Sequence, residues 1–238
     1  MELKILGSNS DGNCYIFTDS NGFSLIVEAG VHIKEIQQDL DFDYSKVVCG
    51  VVSHSHGDHS KYVLSLFNMG INIFMSSGTA KALKINERFS LIPDRAYQFE
   101  KYSVLPFIVE HDAPEPFGFV IYHEEMGHTL FVTDTYILHN NFHGLNNIII
   151  EANYCENIIE QRPIQHKDRV IENHMSIQTT LKTLDKMDLS QVNNIVLIHL
   201  SDGNSNSIEF KSKVEKHTCK TVHIAKKGMK IHFGKTPF

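Results

Sequence analysis

Val52-Ser53-His54-Ser55-His56-Gly57-Asp58-His59 closes an apolar, β-branched run that starts at Val47 and reads as a strand buried on both faces. His54 and His56, two residues apart in an extended segment, point the same way. Gly57 is expected to allow a sharp turn, after which Asp58 and His59 face a second point close by. Three neutral imidazoles and a carboxylate within six residues suit zinc or a similar divalent cation. A lone H-x-H is common in polar loops. Four donors in H-x-H-x-D-H spacing straight after a buried strand are not.

Outward from this stretch, short strands and helices alternate. Residues 3–7, 14–18 and 23–28 read as strands joined by turn-rich segments, then comes a helix over 33–40. After the histidine stretch a helix is expected over 61–68, a strand over 71–75 and a helix over 78–83. Residues 103–110, 117–123 and 129–133 read as consecutive strands. Then come a strand at 148–151, helices near 157–161 and 177–186, a strand at 194–199, a helix at 208–217, and closing strands at 221–225 and 229–233. Strand-rich blocks with interspersed helices, occurring twice, predict an α/β fold: two sheets face to face with helices outside, a four-layer α/β/β/α sandwich. No repeat, low-complexity tract or linker interrupts the chain, so residues 1–238 are read as one domain.

The composition narrows the function classes. The 238 residues are 42% hydrophobic and 21% charged, enough to bury a core without disulfide staples. No apolar run nears the roughly 20 residues that cross a bilayer. The start, MELKILG, reads as a strand and not as a secretory signal, so a cytoplasmic location is expected. Lys plus Arg number 22 against 28 Asp plus Glu, a net charge of −6. That is the wrong sign for a surface that grips a phosphate backbone everywhere, though a local basic groove remains open. Cys14, Cys49, Cys155 and Cys219 form no C-x-x-C pair and read as buried thiols of a reducing compartment. Fifteen histidines are many for a chain of this length unless some serve as ligands or proton carriers.

The H-x-H-x-D-H stretch resembles the hallmark motif of the metallo-β-lactamase superfamily, and later candidate ligands follow in that family's order, each at an expected strand end. His111 follows Phe107-Ile108-Val109-Glu110, Asp134 follows Phe131-Val132-Thr133, and His199 follows Ile195-Val196-Leu197-Ile198. The resemblance implies two divalent cations, zinc first and manganese second. His54, His56 and His111 would hold one, Asp58, His59 and His199 the other, with Asp134 between them. Where the family often carries Asp in a D-x-G context, this chain has Glu28-Ala29-Gly30. Glu28 is expected to orient a ligand from behind.

Glu151 ends the strand Ile148-Ile149-Ile150, and His174 lies in Asn173-His174-Met175-Ser176. The order Asp134, Glu151, His174, His199 resembles the superfamily's phosphodiesterase branch, which includes transfer-RNA 3′-processing nucleases. An alkoxide leaving phosphorus needs a proton donor opposite the nucleophile. By this resemblance Asp58, His174 and Glu151 are the candidate catalytic residues, His174 as general acid and Glu151 as its orienting partner. Ser201, Asn204 and Ser176 are candidate substrate contacts, although turn and helix-cap chemistry accounts equally well for each.

Gly57-Asp58-His59-Ser60-Lys61, His111-Asp112-Ala113-x-Glu115-Pro116-x-Gly118-Phe119 and Glu151-x-Asn153-Tyr154 resemble the phage-type anti-Pycsar enzymes, which open cyclic nucleotide monophosphates. The 7–13 loop and the H-L-S-D-x-N stretch resemble the YycJ/WalJ-type exonucleases instead. The first match spans more of the chain and implies a small nucleotide substrate and a homodimer. The second implies a nucleic-acid track, for which Lys226 and Lys227 in a lysine-rich C-terminal segment are candidates; a solvated face is the usual meaning of such a run. A metal-binding module without activity, and a β-lactam or thioester hydrolase, complete the alternatives.

Overall fold

The computed structural model describes residues 1–236. Six strands come first: β1 (Glu2–Asn9), β2 (Gly12–Thr18), β3 (Ser24–Val27), β4 (Val47–Val51), β5 (Ile73–Ser76) and β6 (Ser90–Leu91). A second sheet is built from β7 (Tyr97–Phe99), β8 (Tyr102–Ile108), β9 (Phe117–His123), β10 (Gly127–Val132), β11 (Leu145–Glu151), β12 (Asn194–Ile198) and β13 (Thr221–Ile224). The last strand, β14 (Lys230–His232), returns to the first sheet. Both sheets have seven strands, in the orders β14-β1-β2-β3-β4-β5-β6 and β13-β12-β11-β10-β9-β8-β7.

Helices α1 (Ile33–Asp39), α2 (Gly57–Ser60), α3 (Val63–Asn68) and α4 (Ser77–Ala82) lie between strands of the first sheet. Helices α5 (Glu156–Ile159), α6 (Ile164–Asn173), α7 (Ile177–Asp185) and α8 (Ser207–Thr218) lie between strands of the second.

Two-residue alternation sorts the apolar side chains into separate layers. Tyr15, Phe17, Phe131, Ile149 and Val196 fill the space between the sheets. Cys14, Ile16 and Ile26, on the other face of the first sheet, meet Ile36, Val63 and Ala80 from α1, α3 and α4. Leu130, Ile148, Ile150 and Leu197 meet Ile177, Leu184, Phe210 and Val214 from α7 and α8. Three apolar layers between four layers of secondary structure make the α/β/β/α sandwich that the sequence predicts.

Strands β3, β4 and β5 run parallel, as do β10, β11, β12 and β13, so their carboxyl ends gather at a single edge of each sheet. Ligand sites favour such edges in α/β sheets. One local expectation is corrected and one helix is added. Gly57 does not make a sharp turn; it opens α2, and a Cβ there would meet no atom. Helix α6 was not foreseen, because its sequence (IQHKDRVIEN) offers few apolar residues to mark a helical face.

Candidate metal centre

The carboxyl-end edge collects the donors through strained strand exits. Glu28 (φ 68°), Asp134 (φ 47°) and His199 (φ 54°) all follow strands in the left-handed region, which costs a residue with a Cβ about 1–3 kcal/mol. His56, extended, precedes α2, and the first turn of that helix sends Asp58 and His59 back toward the strand ends. Gly30 is needed here for close approach, since a Cβ on it would collide with the Asp58 carbonyl oxygen.

Two groups of donors form, each with its ligand-type atoms within 4.8 Å of one another: His54, His56 and His111, and Asp58, His59 and His199. Asp134 closes a third such group with His54 and His59; its Oδ2 lies 3.0 Å from His59 Nε2. His56 Nδ1 and His111 Nε2 face each other at 3.1 Å.

The imidazoles are held from behind. His54 Nδ1 bonds Ser53 Oγ at 2.9 Å, leaving Nε2 buried with no hydrogen-bond partner among the described residues. His111 Nδ1 faces the Asn173 carbonyl at 3.2 Å. Asn153 Nδ2 lies 3.1 Å from His199 Nδ1; Asn13 Nδ2 lies 3.1 Å from His59 Nε2, the nitrogen that also faces Asp58 and Asp134. The carboxylate of Glu28, fully buried, accepts from the Ser53 N–H at 3.3 Å and stands 3.5 Å from His59 Nδ1. His54, His111 and His199, each contacted on one nitrogen with the other turned to the donor groups, together with His56, His59 and two carboxylates, make a donor set that fits two borderline divalent cations.

The electrostatics differ between the two groups. Burial holds His54 well below its ordinary value and lowers His111, so both offer lone pairs. Burial also opposes charge on His59 and His199, but Asp134 acts against it, joined by Glu28 on His59 and by Asp58 and Glu151 on His199. His59 is held well above its ordinary value and His199 is pushed up to about 10. Asp58 and Asp134 move down despite burial, because His199 and His59 face them.

Glu151 and His174, apart in sequence, meet directly: His174 Nδ1 lies 2.7 Å from Glu151 Oε1. Glu151 Oε2 accepts from the N–H groups of Thr135 (3.2 Å) and Met175 (3.1 Å). Both oxygens of this buried carboxylate are thereby used, which makes it a hydrogen-bond hub in spite of its closeness to Asp134 and His199. The His174 ring stacks on that of His199 at 5.3 Å. His174, His56, His111, Asp58, Asp134 and His199 line one pocket of about 220 Å³.

The three expected substrate contacts are not among the described residues lining that pocket. Ser176 caps α7 by accepting from the Thr179 N–H at 3.0 Å and donates to Glu156 at 2.9 Å. Asn204 donates to Ser201 Oγ at 3.1 Å and accepts from Arg162 Nε at 3.0 Å. Their polar groups hold the loop together. Residues that the sequence did not single out, among them Asn13, Ser53 and Asn173, brace the site instead.

A second, larger groove of about 690 Å³ includes the 8–11 loop in its lining, along with Gly7, Gly12, Asp202, Lys226 and Lys227. The lysine-rich segment splits. Lys211, Lys213 and Lys230 pair with Glu215, Glu209 and Glu2 at the surface, whereas Lys226 and Lys227 line this groove, Lys227 paired there with Glu35 at 2.7 Å. Among the described residues no helix is long and apolar enough to cross a membrane.

No protein-family model matches the chain. No curated protein matches it either. Solved structures do. The metallo-β-lactamase fold protein YhfI from Bacillus subtilis superposes with a TM-score of 0.75 at 14% identity, covering 97% of this chain and 98% of that one. Zn(2+)-bound PqqB from Methylobacterium extorquens gives 0.74 at 12%, covering 98% and 100%. Human tRNase Z, short form, gives 0.63 at 14%, covering 98% and 99%. At these identities the likeness shows the fold. This chain has the metallo-β-lactamase fold, with clusters of His and Asp that suit two metal ions at the edge where its strands end.

Proposed function

We propose that this protein is a two-metal phosphodiesterase whose first substrate class is the 3′,5′-cyclic nucleotide monophosphates, opened to 5′-nucleotides. In this proposal His54, His56 and His111 hold one cation and Asp58, His59 and His199 the other, with Asp134 reaching both. Zinc is the first candidate and manganese the second. The supporting observation is the 2.7 Å Glu151–His174 pair beside both donor groups, on the wall of the same pocket.

Two cations held there supply an ionised water at neutral pH and screen the charge on the attacked phosphate. The chain's own residues do the rest. Asp58 and Asp134 fix the spacing of the two donor groups. Glu151 holds His174 Nδ1, so the proton available to a leaving oxygen is the one on Nε2. Burial disfavours that proton, but Glu151 and Asp134 outweigh it and raise the His174 pKa. When the P–O3′ bond breaks, His174 Nε2 gives its proton to the 3′ oxygen. A β-lactam or thioester needs no such donor. Human tRNase Z, whose name makes it a ribonuclease, shares the fold and so offers a precedent for phosphodiester cleavage on this scaffold.

A DNA exonuclease is the second reading, favoured by the 690 Å³ groove with Lys226 and Lys227 on its wall. The net charge of −6 and the small volume of the inner pocket favour the cyclic nucleotide. Protein reconstituted with zinc or manganese, given cyclic mononucleotides, cyclic dinucleotides, DNA and RNA, decides. Release of 5′-mononucleotide from a 3′,5′-cyclic nucleotide without attack on DNA is expected. DNA degradation abolished by Lys226→Glu and Lys227→Glu, with cyclic nucleotides untouched, would replace the first reading with the second. A homodimer is the accompanying expectation, checked by light scattering.

A further inference from the structure

The inner pocket has three carboxylates on its wall, Asp58, Asp112 and Asp134, and Arg169 is the one Arg or Lys among its described lining residues. Arg169 stands on α6, four residues before Asn173 and five before His174. Asn173 ties this turn to the loop that carries His111. Its Nδ2 donates to the Arg169 carbonyl at 2.9 Å, and its Oδ1 accepts from the Asp112 N–H at 3.2 Å. One helical turn and the residue after it thus bring Arg169, a brace and the candidate proton donor to the same opening. Arg169 is exposed, and among the described residues its guanidinium has no ion pair.

We infer that Arg169 binds the non-bridging oxygens of the substrate phosphate and selects an anionic diester over a neutral ester or lactam, with Asn173 as its positioning residue. This rests on the phosphodiesterase reading. Carboxylates on a pocket wall repel an incoming anion, and a guanidinium at the mouth offsets that repulsion where the phosphate enters. Its planar fork matches two phosphate oxygens at once, which an ammonium cannot do. The α6 backbone holds it in register with His174, so one phosphate can meet both.

The test uses metal-loaded full-length protein with bis-p-nitrophenyl phosphate as substrate and inorganic phosphate as a calorimetric ligand. Arg169→Ala should raise KM and weaken phosphate binding by about 10- to 100-fold, with bound metal unchanged and kcat altered less. Arg169→Lys should recover only part of the loss, because a point charge replaces the fork. Asn173→Ala should give the same kind of defect, smaller. If Arg169→Ala loses metal, Arg169→Gln, which keeps a long polar side chain, takes its place. Unchanged KM and phosphate affinity, or a fall in kcat alone, would overturn the assignment. Wild-type protein inert on every diester would overturn the phosphodiesterase reading separately, and phosphate binding would still judge Arg169.

Discussion

Where β11 finishes, His174 meets Glu151 at 2.7 Å; at the opposite end of the sandwich, where β9 finishes, His123 lies 3.7 Å from Asp19. Both are histidine–carboxylate pairs with at least one member at a strand end, Glu151 in the first and His123 in the second, yet their surroundings differ. His123 is sealed against the Tyr102 ring at 4.8 Å, and its Nε2 and Asp19 Oδ2 have no hydrogen-bond partner among the described residues. The other atoms of that pair hold turns: Asp19 Oδ1 accepts from the Asn21 and Phe23 N–H groups, and His123 Nδ1 accepts from the Glu125 N–H. His174 instead stands on the wall of a pocket, within reach of further donors. A histidine beside a carboxylate is therefore not a site in itself. Convergence of several strand ends on an opening makes it one.

The comparison breaks most visibly at the ligands. His199→Ala or Asp134→Asn should lose bound metal and drop turnover by about 10³-fold or more, since without the cations no water is ionised at neutral pH. His123→Gln, at the other end, should keep both metal and turnover. If elemental analysis finds equal metal loss in both, the two ends do not differ as described.

Next in size is His174→Ala. It should keep its metal yet lower turnover of a diester with a poor leaving group by about 10²- to 10⁴-fold, the usual range for a general acid. Bis-p-nitrophenyl phosphate, whose leaving group needs no proton, should suffer far less. Equal losses on both substrates would remove the proton-donor role. Glu28→Gln, behind His59, should weaken metal affinity by about 10- to 100-fold, as measured by chelator competition.

Proton release sharpens the comparison further. The His199 pKa, about 10 in the fold against an ordinary 6.5, is raised, so its proton stabilises the metal-free fold fully below pH 6.5. That contribution is lost as pH rises through about 10. A cation must displace this proton, so affinity should climb across that window by up to about tenfold per pH unit. Chelator competition at two pH values reads it; a flat profile would contradict the protonated state of His199.

The smallest effect belongs to the sealed pair. Burial lowers the His123 pKa against the pull of Glu125 and Asp19, so the unfolded chain takes up that proton first. Stability should therefore fall as pH drops through 6.5, and His123→Gln should flatten the fall while changing stability by about 1–3 kcal/mol. Thermal melts of both proteins at several pH values test this.

The layers and the donor order were legible because both follow from short-range patterns. Two-residue alternation in Cys14-Tyr15-Ile16-Phe17 sends Tyr15 and Phe17 to one layer and Cys14 and Ile16 to another. His111, Asp134 and His199 stand one to three residues past the observed strands β8, β10 and β12, close to where the sequence pattern ends them. What escaped depends on packing between distant segments. Helix α6 has a polar sequence and is held at the site partly by Asn173, a contact no local pattern reports. Ser176 bonds residues of α5 and α7, and Asn204 bonds Arg162 and Ser201, contacts that the composition of these loops does not report. The need for glycine was also misplaced, from Gly57 to Gly30, because it arises from the Asp58 backbone pressing on a segment far away in sequence.

The most direct test is the number of cations retained per chain by wild-type protein stripped with chelator, offered zinc or manganese, and freed of excess. Two per chain, falling when either His54 or His199 is replaced by alanine, is the expected result. One or none per chain in the wild-type protein would contradict the two-metal account.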